Sequence, residues 1–185
     1  NEPPEVSFNP AEGSENNAQE TNITISFGEV VFMVDGGAEL TDENVDALIT
    51  LQDASSDADI EFEATVANGD ETVITVDPTS SFTSEQRVYV AIGSTVKDAA
   101  SNVVEESNAT FSIVDVEAPT AVFSPANSAT GVAPNADITV TLSEAVTNGD
   151  GSEITDDNVA TLITLKSDNE SGSDISFSAD INDAK

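Results

Sequence analysis

Carboxylates are the groups in this sequence that could do chemistry. The chain carries 36 Asp and Glu residues, 4 Lys and Arg, no His and no Cys, for a formal net charge of -32. Without imidazole or thiol groups it cannot build Ser-His or Cys-His catalytic pairs or structural zinc sites. Carboxylates, amides, hydroxyls and backbone carbonyls remain, and these oxygens are the ligands of hard cations such as calcium.

Positive charge is scarce and scattered, at Arg87, Lys97, Lys166 and Lys185. Because a phosphate backbone or an anionic membrane surface requires a cationic footprint, neither is an expected partner. No apolar run approaches the roughly 20 residues that span a bilayer, so membrane insertion is not expected. Asn1 is not an initiator Met, so we expect any signal peptide to have been removed or to lie outside this sequence.

The sequence repeats itself with a period near 115 residues. Residues 4–11 match 119–126 at an offset of 115, residues 39–51 match 153–165 at an offset of 114, and residues 59–62 match 174–177 at 115 again. A period of this length is typical of a whole domain rather than of a short solenoid unit. We therefore predict two tandem modules, 1–115 and 116–185, the second incomplete and holding the first four strands only.

The first copy alternates short segments of β-branched or aromatic residues with turn signals. Seven strands are predicted, at 6–8, 23–27, 48–51, 60–66, 72–76, 87–92 and 110–113. Turn residues between them include Asn68-Gly69 and Asp77-Pro78. The pattern predicts an all-β fold of tandem Greek-key β-sandwiches of immunoglobulin type. A single helical turn is also expected at 41–47, capped by Thr41 or Asp42.

Several short motifs follow one another in a specific order. They are Pro-x-x-x-Phe-x-Pro at 4–10 and again at 119–125, Ile-Thr-Ile-Ser-Phe-Gly-Glu at 23–29, Asp77-Pro78, residues 89–92 and 96–102, and Thr110-Phe111-Ser112. This order resembles the bacterial Ig-like (Big) modules of S-layer proteins and large surface adhesins, particularly the SbsA-type module. One departure is Ser101, where these modules commonly have Gly before Asn.

The resemblance implies a role for the chain. It implies a non-catalytic structural or adhesive repeat of a large, secreted or cell-surface bacterial protein, such as a stalk, an S-layer or an adhesin. The implied partners are neighbouring Ig-like modules of the same chain or of another chain, including a possible homopolymer.

The strand directions determine which loops meet at a junction between modules. In seven alternating strands, the loops at 28–47 and 94–108 face the end where the chain enters, so the linker 114–119 meets those loops of the next module. Because linker and loops are acidic, we predict calcium at the junctions, where it stiffens the array. The predicted ligands are Glu2, Glu29, Asp35, Asp42, Asp98, Asn102, Asp115, Glu117, Glu144, Asp150 and Asp156. The alternative is that these acids are solvated loop residues.

Other sites are less well supported by the sequence. Asn148-x-Asp150-x-Ser152 resembles the start of an EF-hand loop, but its twelfth position is Val159 rather than Glu. Ser94-Thr95-Val96-Lys97 matches the catalytic Ser-x-x-Lys motif, yet it follows a strand instead of lying on a helix. With 36 acids, carboxylate pairs suited to glycoside hydrolysis are expected by chance.

Two non-enzymatic alternatives remain open. A carbohydrate-binding accessory module of a secreted enzyme would need stacking aromatics, and the chain has no Trp and one Tyr, Tyr89. Phe8 and Phe62, which recur as Phe123 and Phe177, lie in alternating strands and are interpreted as core residues. The other alternative is a filament subunit in which another chain supplies the missing strands of the second module.

Overall fold

The computed structural model describes residues 2–67 and 70–182, so the predicted Asn68-Gly69 turn lies outside the described residues. The chain divides into two compact units, Asn1–Glu117 (unit 1) and Ala118–Lys185 (unit 2). Among the described residues, no helix is long and apolar enough to cross a membrane.

Unit 1 is built from short strands. They are β1 (Ser7–Asn9), β2 (Ile23–Ser26), β3 (Phe32–Met33), β4 (Ile49–Asp53), β5 (Phe62–Ala67), β6 (Asp70–Pro78), β7 (Arg87–Ile92), β8 (Val96–Lys97) and β9 (Ser107–Ser112). Each of the seven predicted segments overlaps one of these strands. Sequence reasoning missed β3 and β8, because two-residue strands are too short to show alternation.

The strands of unit 1 form the arrangement of an immunoglobulin constant domain. One sheet has the order β1-β2-β6-β5, a second has β4-β7-β9, and β3 pairs with β8 in a small third sheet. Every one of these pairings is antiparallel. This division of seven strands into four and three is that of the constant-type Ig sandwich. The prediction of an all-β, Ig-like Greek-key fold is therefore confirmed.

The core lies between the two larger sheets. Alternate residues of β2 and β6 point into it from one side, and alternate residues of β4, β7 and β9 from the other. Phe82, from the loop before β7, packs edge-on against Phe111, with ring centroids 6.1 Å apart. Phe8 and Phe62 pack partly buried against this core, as predicted. Their counterparts Phe123 and Phe177 are exposed, so the core interpretation is wrong for that pair.

The helical turn of unit 1 forms later than predicted. It is a 3-10 helix at Asp46–Leu48 without a side-chain cap, so the predicted cap by Thr41 or Asp42 is wrong. The side chain of Asn44 accepts a hydrogen bond from the Thr41 N–H at 2.9 Å and closes a turn there. The N–H groups of Asn44 and Val45 both donate to the Thr41 carbonyl, at 3.0 and 3.1 Å, so residues 41–45 form a separate turn before the 3-10 helix.

Unit 2 contains two strands among its described residues, β10 (Ala121–Ser124) and β11 (Thr139–Leu142), and a 3-10 helix at Val159–Leu162. The two strands pair antiparallel with Phe123 opposite Val140. In unit 1 the equivalent residues, Phe8 and Ile25, are opposite each other in the same way.

Two of the four strands predicted for residues 116–185 therefore form. The other candidate segments, near 162–165 and 174–177, approach each other in one bridge between Lys166 and Asp174. In unit 1 the matching strands β4 and β5 pair with β7 and β6. No described segment of unit 2 is equivalent to β6 or β7. Without a partner strand an extended segment has no hydrogen-bond ladder, which explains the difference.

Candidate functional site

The loop before β4 and the loop before β9 meet at one end of unit 1, as the strand directions predicted. Strand β3 of the first loop pairs with β8 of the second, with Phe32 opposite Lys97 and Met33 opposite Val96. Both loops are anchored by buried apolar residues: Val31, Leu40 and Val45 in one, Val96 and Val104 in the other. These acidic loops are thus part of the core, and sequence reasoning missed their anchors because it followed the charges.

Asp98 lies at this end of unit 1. Among the described residues it is the only charged residue that is buried. Its Oδ1 accepts a hydrogen bond from the Asn102 N–H at 2.8 Å, and its Oδ2 accepts one from Asn102 Nδ2 at 2.7 Å. Its backbone N–H donates to the Asn102 carbonyl at 3.0 Å, which closes the turn. Two predicted calcium ligands are therefore brought together, and they bind each other.

Asp42 and Asp46 hold the outer edge of β5, which is an edge strand of the four-stranded sheet. Asp42 Oδ1 accepts from the Val66 N–H at 2.9 Å, and Asp46 Oδ1 accepts from the Ala64 N–H at 2.8 Å. Side chains that occupy edge N–H groups in this way reduce pairing with foreign strands. The structure therefore gives Asp42 a structural partner within unit 1.

Unit 2 repeats this loop locally. Asp156 Oδ1 accepts from the Ile181 N–H at 2.7 Å, as Asp42 does from Val66. Asn158 accepts from the Thr155 N–H at 2.9 Å and donates to the Glu153 carbonyl at 3.0 Å, as Asn44 does to the equivalent residues. The repeat in sequence is thus also a repeat of side-chain contacts.

Asp115, at the start of the linker, contacts the opposite end of unit 1. Asp115 Oδ1 accepts from Ser84 Oγ at 2.9 Å and from the Glu117 N–H at 3.0 Å. The same Ser84 hydroxyl accepts from the Val116 N–H at 2.9 Å. These contacts hold the start of the linker against the loop between β6 and β7.

Asp150, another predicted ligand, forms a local turn in unit 2. Its Oδ1 accepts from Ser152 Oγ at 2.6 Å and from the Ser152 N–H at 3.0 Å. The hydrogen bond from the Ser152 hydroxyl, followed by that from its N–H, lowers the pKa of Asp150 below its usual value. The segment that resembles the start of an EF-hand therefore closes on itself through Asp150 and Ser152.

The remaining predicted ligands differ in how far they are exposed. Glu2, Glu29, Asp35 and Glu117 are exposed, and Glu144 is half-buried. Across the described residues, no three acidic side chains come together in a geometry that could hold a metal ion. The calcium site stays a prediction from sequence.

Asp53, which sequence reasoning did not select, is held by hydrogen bonds to both of its carboxylate oxygens. Its Oδ1 accepts from the Ser55 N–H at 2.9 Å and from both the N–H and the hydroxyl of Ser56 at 3.0 Å; its Oδ2 accepts from Gln86 Nε2 at 3.1 Å. The Ser55 N–H and the Ser56 hydroxyl are the main causes that lower the pKa of Asp53. The run Asp-Ala-Ser-Ser, which begins at the last residue of β4, was the available signal.

A parallel pairing near the two ends of unit 1 is the second feature that sequence reasoning missed. We call it the terminal clamp: residues 13–17 run beside residues 110–114. Four backbone hydrogen bonds of 2.8 to 3.1 Å join the two segments. Asn17 is central, because its Nδ2 also donates to the Ser112 carbonyl at 2.9 Å and its Oδ1 accepts from Ser14 Oγ at 3.1 Å. Asn17 and Ile113 form the parallel bridge.

Two shallow depressions in unit 1 provide little for sugar or substrate binding. One, of about 220 Å³, is lined by residues 19–22 and 77–81 and contains no aromatic side chain. The other, of about 450 Å³, lies between β1 and β9 and has Phe8 as its one aromatic. Tyr89 is half-buried in β7 and lines neither depression. Lys97 of the Ser-x-x-Lys match lies in β8, and its Nζ donates to the Val34 carbonyl at 3.3 Å.

The fold and these contacts define an Ig-like β-sandwich followed by a second unit with the same local features. The chain belongs to the family described as "Bacterial Ig-like domain", which matches residues 1–113 and 115–185. No curated protein sequence matches it. Among solved structures, CopC from Methylosinus trichosporium OB3b is similar, with 14% sequence identity, a TM-score of 0.42, and coverage of 63% of this chain and 97% of that chain.

Proposed function

We propose that the chain is a non-catalytic structural segment of a large bacterial surface protein, exposed outside the cytoplasm, which acts in a stalk, an S-layer or an adhesin. Membership of the bacterial Ig-like family supports the class of protein. The terminal clamp is the observation that carries the mechanical part of the proposal.

The clamp suits a module that is pulled from both ends. The N-terminal segment 13–17 and the C-terminal segment 110–114 run parallel and side by side, so tension at the two ends slides them past each other. The hydrogen bonds that join them lie across the direction of sliding and resist together rather than one after another. The contacts of Asp115 with Ser84 hold the linker where tension would enter.

Single-molecule pulling of the full chain tests this role. We expect one dominant unfolding event for unit 1, which releases roughly 350 Å for the ~100 residues between the clamp segments at about 3.5 Å per residue, less the folded length. Asn17→Ala removes the side-chain bond to Ser112 and is expected to lower the unfolding force. Asn22→Ala, an exposed Asn at the start of β2, is the matched control and leaves the force unchanged. Equal forces for wild type and Asn17→Ala would overturn the clamp as the resisting element.

Exposure outside the cytoplasm is tested on the producing bacterium. A membrane-impermeant amine reagent applied to intact cells is expected to modify the same amines as in the purified protein, among them Lys166, whose side chain is 29% exposed and ion-paired with Asp174 at 2.6 Å. Labelling that appears only after the cells are lysed would contradict a surface location. If the protein is labelled on intact cells but Asn17→Ala does not lower the unfolding force, the clamp is refuted and the surface location is not.

Calcium at the junctions between modules is the finer part of the proposal. The excess of 36 acids over 4 bases supports it. Asp42, Asp98, Asp115 and Asp156 already accept hydrogen bonds within their units, so cation binding would compete with these contacts. A cation that binds only the folded state raises the unfolding midpoint. We expect such a rise between chelator and added calcium, and an unchanged midpoint would remove calcium from the proposal.

A further inference from the structure

The exposed apolar side chains of unit 1 are grouped on its smallest sheet. Among the described residues of this unit, the large apolar side chains that are exposed are those of Val30, Val34, Val103 and Val116. Val116 lies in the linker. Val30 and Val34 flank β3, and Val103 forms a bridge with β8, the partner strand of β3. Single apolar residues are ordinary on a protein surface, whereas a contiguous group of them marks an interaction site.

The segment 30–34 presents every second side chain to the outside. Val31 is fully buried, and Met33 packs against the core. Because side chains of an extended segment alternate between two sides, Val30, Phe32 and Val34 point away from the core. Phe32 is half-buried there, so part of its ring remains accessible.

A row of side chains crosses this outward side of the sheet. Phe32 is opposite Glu39 in one bridge and opposite Lys97 in the β3–β8 pair, and Lys97 is opposite Val103 in a second bridge. Directly opposed residues of antiparallel pairs lie on the same side of a sheet. The row therefore has an aromatic ring between a carboxylate and an ammonium group. We call this set the outer patch: Val30, Phe32, Val34, Glu39, Lys97 and Val103.

The repeat indicates that the fold does not require an apolar residue at these outward positions. At an offset of 115, Val30 corresponds to Ala145 and Phe32 to Thr147 of unit 2. Thr147 forms the equivalent bridge there, with Glu153. The same local geometry is thus built with a small and a polar side chain.

The inward position behaves differently. Val31, which is buried in the core of unit 1, corresponds to Val146 and is apolar in both copies. A contact made at every junction between modules would also need the outward side chains in unit 2, which follows a linker. Because unit 2 lacks them, the outer patch belongs to unit 1 and is not a general junction contact.

We propose that the outer patch binds the outer patch of a second copy of this chain in a two-fold symmetric contact. With the two-fold axis parallel to β3 at Phe32, the two Phe32 rings face each other. Lys97 of each copy then faces Glu39 of the other. The patch is complementary to itself in charge, as a contact between identical surfaces requires. Lys97 Nζ donates one hydrogen bond, to the Val34 carbonyl, and an ammonium group has three donors.

The strength of this contact follows from its size and from the charge of the chain. The net charge of -32 opposes self-association, but at an ionic strength of about 0.15 M charges are screened beyond about 8 Å. A patch of six side chains buries less than the roughly 1,200–2,000 Å² of a stable complex. We therefore expect a weak dimer, with a dissociation constant on the order of 0.1–1 mM.

The inference does not rest on the proposed stalk role. It depends on the outer patch, whereas the mechanical proposal depends on the terminal clamp. Loss of dimerisation would leave the unfolding force of the clamp as predicted, and an unfolding force that Asn17→Ala does not change would leave dimerisation as predicted.

Sedimentation velocity of the full chain, from about 0.02 to 1 mM in about 0.15 M NaCl, measures the association. The double variant Val30→Ala, Phe32→Thr gives unit 1 the residues of unit 2 and is expected to weaken dimerisation about tenfold or more. Val116→Ala removes an exposed apolar side chain from the linker and is the matched control, with an unchanged dissociation constant. The fluorescence of Tyr89 shows whether each variant is folded.

Exchanging the charges tests which residues meet. Lys97→Glu places a carboxylate against Glu39 of the second copy, and Glu39→Lys places an ammonium group against Lys97, so we expect each variant alone to be monomeric. Mixed in equal amounts, the two variants restore both ion pairs. We expect a heterodimer with a dissociation constant close to that of the wild-type dimer. A variant that had merely failed to fold would not be rescued by the other.

Three results would overturn the proposal. One is a wild-type chain that stays monomeric at about 1 mM, which would leave the outer patch to a partner of different chemistry. Another is a double variant Val30→Ala, Phe32→Thr that dimerises as strongly as wild type, since another surface would then form the contact. The third is a mixture of Lys97→Glu and Glu39→Lys chains that remains monomeric.

Discussion

Replacing Asp98 by Ala is expected to destabilise unit 1 by about 2–4 kcal/mol. The carboxylate is 1% exposed and accepts two hydrogen bonds from Asn102, at 2.8 and 2.7 Å. A hydrogen bond to a charged group contributes about 1.5–3 kcal/mol, so these two together contribute about 3–6 kcal/mol. Because Asn102 is half-buried, water recovers part of that loss. At roughly 4 °C per kcal/mol for a domain of this size, the unfolding midpoint falls by about 8–16 °C.

Exchanging the two side chains isolates their pairing. Asp98→Asn leaves the shape but places an amide N–H against Asn102 Nδ2, and Asn102→Asp alone places two carboxylates face to face. The double variant restores one donor and one acceptor at the side-chain contact. We expect it to be more stable than the sum of the single changes predicts, by about 1–3 kcal/mol in a double-mutant cycle.

Tyrosine fluorescence reports these changes for unit 1 alone, because Tyr89 is the one Tyr and the chain has no Trp. Denaturant titrations give the free energy of unfolding. Asp35→Ala is the matched control: it removes the same charge from an exposed position and is expected to change stability by no more than about 0.5 kcal/mol. If Asp98→Ala shifts the midpoint no further than Asp35→Ala, the buried Asp98–Asn102 pair does not stabilise the fold.

Three further perturbations test local features. Ser101 has a left-handed backbone with φ of 71°, so Ser101→Gly is expected to stabilise unit 1 by up to about 1 kcal/mol, and an unchanged or lower denaturant midpoint would contradict this. Because the pKa of Asp53 is lower in the folded state than the unfolded value of about 3.9, its carboxylate stabilises the fold above that pH, and this stability is lost as pH falls through the folded pKa. The difference in free energy of unfolding between wild type and Asp53→Asn should therefore shrink below about pH 4. A constant difference from about pH 7 to pH 2 would refute the lowered pKa. A Cβ at Gly172 would overlap the carbonyl oxygen of Ser167, whose N–H donates to the Ser173 carbonyl. Gly172→Ala is therefore expected to accelerate hydrogen exchange of the Ser167 amide, whereas the control Gly149→Ala, where a Cβ meets open space, is not. Equal exchange rates in the two variants would count against the overlap.

The strands and the family could be predicted because their signals are local. Alternation along 23–27 and 87–92 identifies β2 and β7 wherever they lie in the fold, since the period of two belongs to the strand itself. The order of the Pro, Phe and Asn motifs likewise needed no coordinates to indicate the bacterial Ig-like family. Sequence therefore predicted the fold class and the main strands of unit 1.

The partners of the acids could not be predicted in the same way. Asp42 accepts from the N–H of Val66, 24 positions away, and Glu12 Oε2 accepts from the N–H of Thr110, 98 positions away. An Asp in a loop looks the same in sequence whether it faces solvent, a cation or the edge of a strand. The candidate calcium ligands were selected by composition and loop position, and neither shows which oxygens already have donors.

The sequence by itself determined that this protein is an acidic, all-β chain with a repeated module and without thiol or imidazole chemistry, because composition, period and alternation are properties of the chain alone. Only the tertiary structure decided that the acidic loops are anchored in the core, that Asp98 is buried against Asn102, and that residues 13–17 clamp residues 110–114. These features depend on which distant segments share a sheet edge or a core, and that is set by the packing of strands in three dimensions.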